Sequence, residues 1–180
     1  MTREEKILEA VKKANEIKQK YNFIEEELEV EFIIEGKPVP YARARHTRFG
    51  GKNGKGRFYN PKEKEMNQYN KEFMKQIPEN VSQRIKELDE KSIYYVELYC
   101  DFYVPIQKAD SIERSALKEA GVIKPTLRNG DSDNYVKFVQ DALHNVLYED
   151  DKVVTVIRSN KLYSLKPRTE IKAKIKIIKK

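Results

Sequence analysis

Residues 131–151 read DSDNYVKFVQDALHNVLYEDD, and the rest of the chain is organised around this segment. It carries six carboxylates, although the whole chain has a formal net charge of +7. Asp131 and Asp133 open the segment, and Asp150 and Asp151 close it. Carboxylates held close together repel one another unless a cation or a proton intervenes. Hard oxygen ligands of this type suit Mg²⁺ or Mn²⁺.

The middle of the segment has the pattern of an amphipathic helix. Asn129-Gly130 is a turn signal, and the Ser and Asp residues that follow are favoured helix N-caps, so we expect a helix from Ser132 or Asp133. It should end near His144-Asn145. Apolar residues recur at spacings of three and four and predict a buried stripe: Val136, Val139, Leu143 and Val146. Every fourth residue on another face is charged: Asp133, Lys137 and Asp141.

A β-branched run at 153–157 follows the second acidic cluster and predicts a strand. Asp151 would then stand at the start of this strand. Asp151 can come close to Asp131 and Asp133 only if the connection between the helix and the strand folds back over the helix. That approach is a hypothesis.

The spacing of these residues resembles the signature of the RusA-like Holliday junction resolvases. The matching pattern is Asp131-x-Asp133-Asn134-x-x-Lys137, then Asp141-Ala142-Leu143, then Asp150-Asp151-x-Val153. Upstream, GKPVP at 36–40, RAR at 43–45 and YNPK at 59–62 resemble the N-terminal part of the same family. The resemblance covers roughly residues 30–178.

The resemblance implies a small homodimeric, Mg²⁺-dependent endodeoxyribonuclease of the kind found in bacteria and their phages, with Mn²⁺ as a possible substitute. Such an enzyme resolves four-way junctions by paired phosphodiester hydrolysis in DNA recombination and repair. In the family pattern the metal ligands are Asp131, Asp133 and Asp151, and the catalytic lysine is Lys137. Lys161 matches a basic position that the family often carries. The family usually has Pro before the first acid, where this chain has Gly130, so we expect a different loop shape at this position.

Length and composition set the class of protein. The 180 residues suit one domain with its own core. A charged content of 36% with excess Lys and Arg indicates a polyanionic partner, nucleic acid before membrane. We expect no transmembrane span, no signal peptide and a cytoplasmic location. A single cysteine, Cys100, excludes an internal disulfide, and with two histidines makes a zinc site a poor interpretation.

The segment 36–62 contains no acidic residue and eight lysines or arginines. Its glycines allow close approach of backbone to phosphate, and its aromatic residues can stack on exposed bases. A solvated basic loop is the alternative, and binding is the favoured interpretation. The predicted nucleic-acid-binding residues are Arg43, Arg45, Arg48, Lys55, Arg57 and Lys161.

Beyond these segments the pattern predicts an α+β (mixed α/β) fold of one domain, in which a mixed sheet of about four strands is packed by helices. Residues 1–27 should be an N-terminal helical extension, and 28–180 the RusA-like domain. Thr2 and Glu5 have the spacing of a capping box for the first helix. In the last strand, lysines 172, 174 and 176 alternate with apolar residues and suggest a solvated, protected edge rather than DNA contacts.

Several other sites are excluded by their own requirements. An EF-hand needs an oxygen ligand and a glycine where this chain has Tyr135 and Val136. A Walker-type phosphate loop is missing from the sequence, so no nucleotide cofactor is expected. Asp141 is as consistent with a structural ion pair as with catalysis, and Asn134 with orienting a carboxylate. The competing class is a non-catalytic protein that binds branched DNA through the same basic loop.

Overall fold

The computed structural model of the chain describes residues 2–20, 24–47, 57–88, 92–126 and 130–178. Within these ranges the helices are α1 (Arg3–Lys20), α2 (Glu63–Gln76), α3 (Glu79–Lys86), α4 (Ile112–Glu119) and α5 (Ser132–Leu143). The strands are β1 (Ile24–Glu35), β2 (Arg45–Thr47), β3 (Arg57–Tyr59), β4 (Tyr94–Pro105), β5 (Val154–Ser164) and β6 (Arg168–Ile178). The expected α+β fold is confirmed.

Four strands form the main sheet, in the order β1-β6-β4-β5. The β4–β5 pair is parallel, and the β1–β6 and β4–β6 pairs are antiparallel, so the sheet is mixed as expected. A parallel pair needs a long crossover, and α4 and α5 lie in the connection between β4 and β5. A separate two-stranded sheet pairs β2 with β3.

The core lies between one face of the main sheet and the helices α2 and α5. Alternate residues of β1, β4 and β6 are buried, as the period of two requires. Aromatic rings join the two layers: Phe32 of β1 meets Phe73 of α2 at 4.9 Å, and Phe102 of β4 stacks on Tyr135 of α5 at 5.1 Å. This packing fixes the side of the sheet on which α5 presents its acids.

The expectation for the lysines of β6 was wrong, because β6 is an interior strand between β1 and β4. Lys172 pairs with Glu29 of β1, and Lys176 pairs with Glu97 of β4 at 2.9 Å. The lysines therefore neutralise acids on neighbouring strands. Alternation alone could not reveal this, since interior and edge strands share it when one face is open to solvent.

The capping box of α1 is confirmed, with Glu5 N donating to Thr2 Oγ1 at 3.2 Å and Thr2 N donating to Glu5 Oε2 at 2.8 Å. The apolar residues of this helix, among them Ile7 and Val11, remain about half exposed. The boundary between extension and domain at residue 27 stays a prediction. Across the part of the chain that the structure describes, no helix combines the length and apolar character needed to cross a bilayer.

Candidate active site

Helix α5 begins immediately after a backbone turn at Gly130. This glycine has φ +79°, and a Cβ built there would meet the Tyr135 hydroxyl at 3.2 Å. Proline, with φ fixed near −65°, cannot adopt this conformation, which gives a physical reason for the departure from the family pattern at this position. Lys161 of β5 secures the same turn, since its Nζ donates to the Gly130 carbonyl at 2.7 Å.

Asp131 and Asp133 stand at the start of α5 with exposed side chains. Asp131 occupies the N-cap position, yet its side chain forms no capping hydrogen bond with the first turn of the helix. A carboxylate in this position normally accepts from a backbone N–H of that turn. The Asp131 oxygens are therefore not committed to capping, and together with Asp133 they suit a hard divalent cation.

Lys137 lies one turn further along α5, next to a residue that the sequence did not indicate. Its Nζ is 4.5 Å from the centre of the Tyr41 ring, within the range of a cation–π contact. The Tyr41 backbone N–H also donates to the Asn134 carbonyl at 2.8 Å. This hydrogen bond holds the segment after β1 against α5. It places the Tyr41 ring beside the Lys137 amine.

The other end of α5 opens into a cleft of about 480 Å³ that contains Asp151. Its lining residues are Gln140, Asp141, His144, Tyr148, Glu149, Asp150 and Asp151. Loss of water around the Asp141 carboxylate raises its pKa, the charge of Lys137 opposes that shift, and the charge of Asp151 adds to it. The charges of Lys137 and Asp151 therefore both act on the Asp141 carboxylate.

Asp150 has a local structural role. It caps a short 3₁₀ helix at Asp151–Val153, accepting from Lys152 N at 3.0 Å and forming an ion pair with Lys152 Nζ at 3.0 Å. These two contacts lower the pKa of its carboxyl group. Both adjacent acids line the cleft, but Asp150 in addition caps the turn and pairs with Lys152.

The predicted ligands lie at opposite ends of one helix. Asp131 and Asp141 are ten positions apart, which is about 15 Å at 1.5 Å per residue, and Asp151 is on the Asp141 side. Among the described residues, no three His, Cys, Asp or Glu side chains are grouped so that they could hold a metal ion. In the described chain Asp151 thus lies with Asp141 at one end of α5, and Asp131 and Asp133 lie at the other end. The assignment of these ligands stays a prediction.

The predicted nucleic-acid-binding residues are only partly described. Arg43 and Arg45 have exposed side chains on the segment that follows Tyr41. Arg45 begins β2, and Phe58 on the paired strand β3 is 73% exposed and 4.8 Å from the His46 ring. Arg48 and Lys55 lie outside the residues that the structure describes, as does the side chain of Arg57.

A family model for the endodeoxyribonuclease RusA matches residues 35–174. The chain belongs to the RusA family. A protein of Bacillus subtilis (strain 168), described as uncharacterized protein YqaN, is 32% identical over 146 residues, which cover 79% of this chain and 93% of that protein. Membership of the RusA family implies an endodeoxyribonuclease, a hydrolase, of the Holliday junction type. It also agrees with the resemblance carried by the acids and lysine of α5.

Proposed function

We propose that this RusA-family chain is a divalent-metal-dependent, structure-specific endonuclease that resolves four-way DNA junctions by paired hydrolysis as a homodimer. The observation that carries the proposal is the start of α5. The Asp131 side chain makes no capping hydrogen bond there, and the Asp133 side chain is exposed close to it. Lys137 lies one turn further along, with its amine over the Tyr41 ring. This combination of acids and a positioned cation fits phosphodiester chemistry better than a helix cap.

The metal would be held by Asp131, Asp133 and Asp151, with Mg²⁺ preferred and Mn²⁺ accepted because all three are hard oxygen donors. Bound there, the ion supplies a nucleophilic water at neutral pH and neutralises charge on the scissile phosphate. The chain's own contribution is to fix the acids. Lys161 holds the turn that precedes Asp131, and the 3₁₀ helix fixes Asp151 at the start of β5.

Lys137 provides a positive charge for the negative charge that develops on the phosphate in the transition state. The Tyr41 ring lies 4.5 Å from its amine, and a cation–π contact at that distance favours this position of the amine. A preorganised cation stabilises the transition state more than a mobile one, because no reorganisation is needed during the reaction.

The same geometry supports the proposal of a homodimer. Since α5 separates the acid pair from Asp151, we expect Asp151 of one chain to complete the ligand set begun by Asp131 and Asp133 of the other. A two-fold dimer has two such sets, which suits the two symmetry-related strands of a four-way junction.

The direct test is cleavage of a synthetic four-way junction by the purified protein, with a linear duplex of the same sequence as control. Paired nicks that need Mg²⁺ and disappear with a chelator are expected. The alternative is a non-catalytic protein that binds branched DNA, and the absence of a three-acid group among the described residues favours it. That alternative holds if the junction is bound and no nick forms at any Mg²⁺ or Mn²⁺ concentration.

Replacement of Arg43 and Arg45 by Ala should weaken junction binding and reduce its salt dependence. Each lost phosphate contact should lower the slope of log K against log salt concentration by about 1. Lys6→Ala with Lys12→Ala on α1 removes the same charge elsewhere and serves as the control. Affinity measured at several salt concentrations would exclude a specific role for the arginines if both double variants behave alike.

A further inference from the structure

Strand β5 is an edge strand whose middle is uncovered. It has β4 as its only strand neighbour in the described sheet. The side chains of Thr155, Ile157, Arg158, Ser159 and Asn160 are all exposed, although they project from both faces of the sheet. Ile157 is an apolar residue with 43% of its surface exposed. A long uncovered edge invites pairing with another strand unless the protein blocks it.

The opposite edge of the sheet is blocked in a specific way. On β1 the side-chain amide of Gln76 accepts from Ile33 N at 2.8 Å and donates to Ile33 O at 2.9 Å. Both backbone groups of the residue are thereby occupied. The structure describes no equivalent cover along residues 155–161, and α4 reaches only the end of β5, where Glu119 accepts from Leu165 N at 2.6 Å.

The two ends of β5 carry opposite charge. Glu149, Asp150 and Asp151 precede the strand, while Lys161 and Lys166 lie in its second half and just beyond. In an antiparallel pair of identical strands, the start of each lies beside the end of the other. Self-pairing therefore matches acidic with basic ends, and parallel pairing would oppose like charges.

We propose that β5 pairs antiparallel with β5 of a second copy, about a two-fold axis near Ile157, and so joins two four-stranded sheets into one. The inference rests on the dimer of the proposed function and names its surface. It brings Asp151 of each chain towards Lys161 and the Gly130 turn of the other chain, where the Asp131 and Asp133 pair begins. The two-fold symmetry gives two equivalent contacts of this kind.

The residue of β5 that lies on the two-fold axis can be restricted to two candidates. Opposite residues in an antiparallel pair project to the same face of the sheet. When the two-fold axis is normal to the sheet, one residue of β5 must therefore lie opposite the same residue of the second copy. Arg158 is a poor choice because like charges would meet. Ile157 and Ser159 lie on the face that carries the helices, as does Lys161, which is opposite the buried Phe102. Either can occupy the axis.

Single cysteines test the surface without reference to cleavage. Ile157→Cys and Ser159→Cys are compared with Ile33→Cys, which lies on the blocked edge and is 50% exposed. The native Cys100 does not interfere, because burial raises its pKa to about 12. Under mild oxidation or with a short bifunctional maleimide, a covalent dimer is expected from at least one β5 variant and not from Ile33→Cys.

Charge at the axis provides the second measurement. Ile157→Lys places two ammonium groups together and should shift the mass in light scattering from about twice 21.2 kDa towards 21.2 kDa, with Ile33→Lys as control. A native dimer that gives no β5 crosslink and survives Ile157→Lys with its helical and strand signal intact overturns the proposal. Junction cleavage by that same dimer would show that the proposed function stands without it.

Discussion

Asp133→Asn and Asp151→Asn are each expected to abolish junction cleavage and to leave the junction bound, because the amide keeps the shape of the side chain and removes the charge that would hold the cation. Loss of several kcal/mol of charge stabilisation corresponds to a decrease in rate of about 10³-fold. Binding should be kept or strengthened, since a negative charge that faces DNA phosphate is gone. Cleavage rate and junction affinity are measured side by side on both variants.

Asp150→Asn is the matched control, since Asp150 adjoins Asp151 but is held by Lys152. We expect it to alter stability slightly and to retain most cleavage. Asp141→Asn should show an intermediate loss through its electrostatic connection to Lys137 and Asp151. Near-normal cleavage by Asp133→Asn or Asp151→Asn would show that the acids are a helix cap and a loop.

Lys137→Ala should reduce cleavage by about 10²-fold, the usual effect of removing one group that stabilises transition-state charge. Metal affinity should not fall, because lysine is not a ligand, and titration with Mn²⁺ separates the two effects. Loss of metal binding along with activity would instead assign Lys137 a structural role.

Substitutions of Tyr41 test the contribution of its contact with Lys137 to the cleavage rate. Tyr41→Leu removes the ring and should lower the rate by about 3-fold, as a cation–π contact at an exposed site contributes about 0.5–1 kcal/mol. Tyr41→Phe keeps the ring and should retain the native rate. Equal losses in the two variants would locate the effect in the Tyr41 hydroxyl rather than in the contact with Lys137.

Local patterns predicted most of the elements, because their information lies within a few residues. The apolar stripe of α5 and the alternation of lysines with apolar residues in β6 each specify an element without reference to the rest of the chain. The four strands of the main sheet were predicted for the same reason. The position of β6 inside that sheet was not, since strand order depends on pairing across more than a hundred residues.

The sequence indicates the residue types of the candidate site but not their contacts, and the assignment of these residues stays a prediction. Asp131, Asp133 and Lys137 share one helix, so their spacing could be read directly. Tyr41 and the Lys161–Gly130 hydrogen bond depend on how distant segments pack, and the sequence gives no local signal for them. The distance between the acid pair and Asp151 could not be predicted either. It depends on the direction in which β5 runs relative to α5, which is also set by packing.

The sharing of a site between two chains is the central claim, and mixing two inactive variants tests it most directly. Asp133→Asn and Asp151→Asn chains carrying different tags are co-expressed, and the heterodimer is isolated by tandem purification. If each site takes Asp131 and Asp133 from one chain and Asp151 from the other, the heterodimer has one intact site and regains Mg²⁺-dependent nicking of the junction. If an isolated heterodimer stays as inactive as either parent, each site lies within one chain and the account is contradicted.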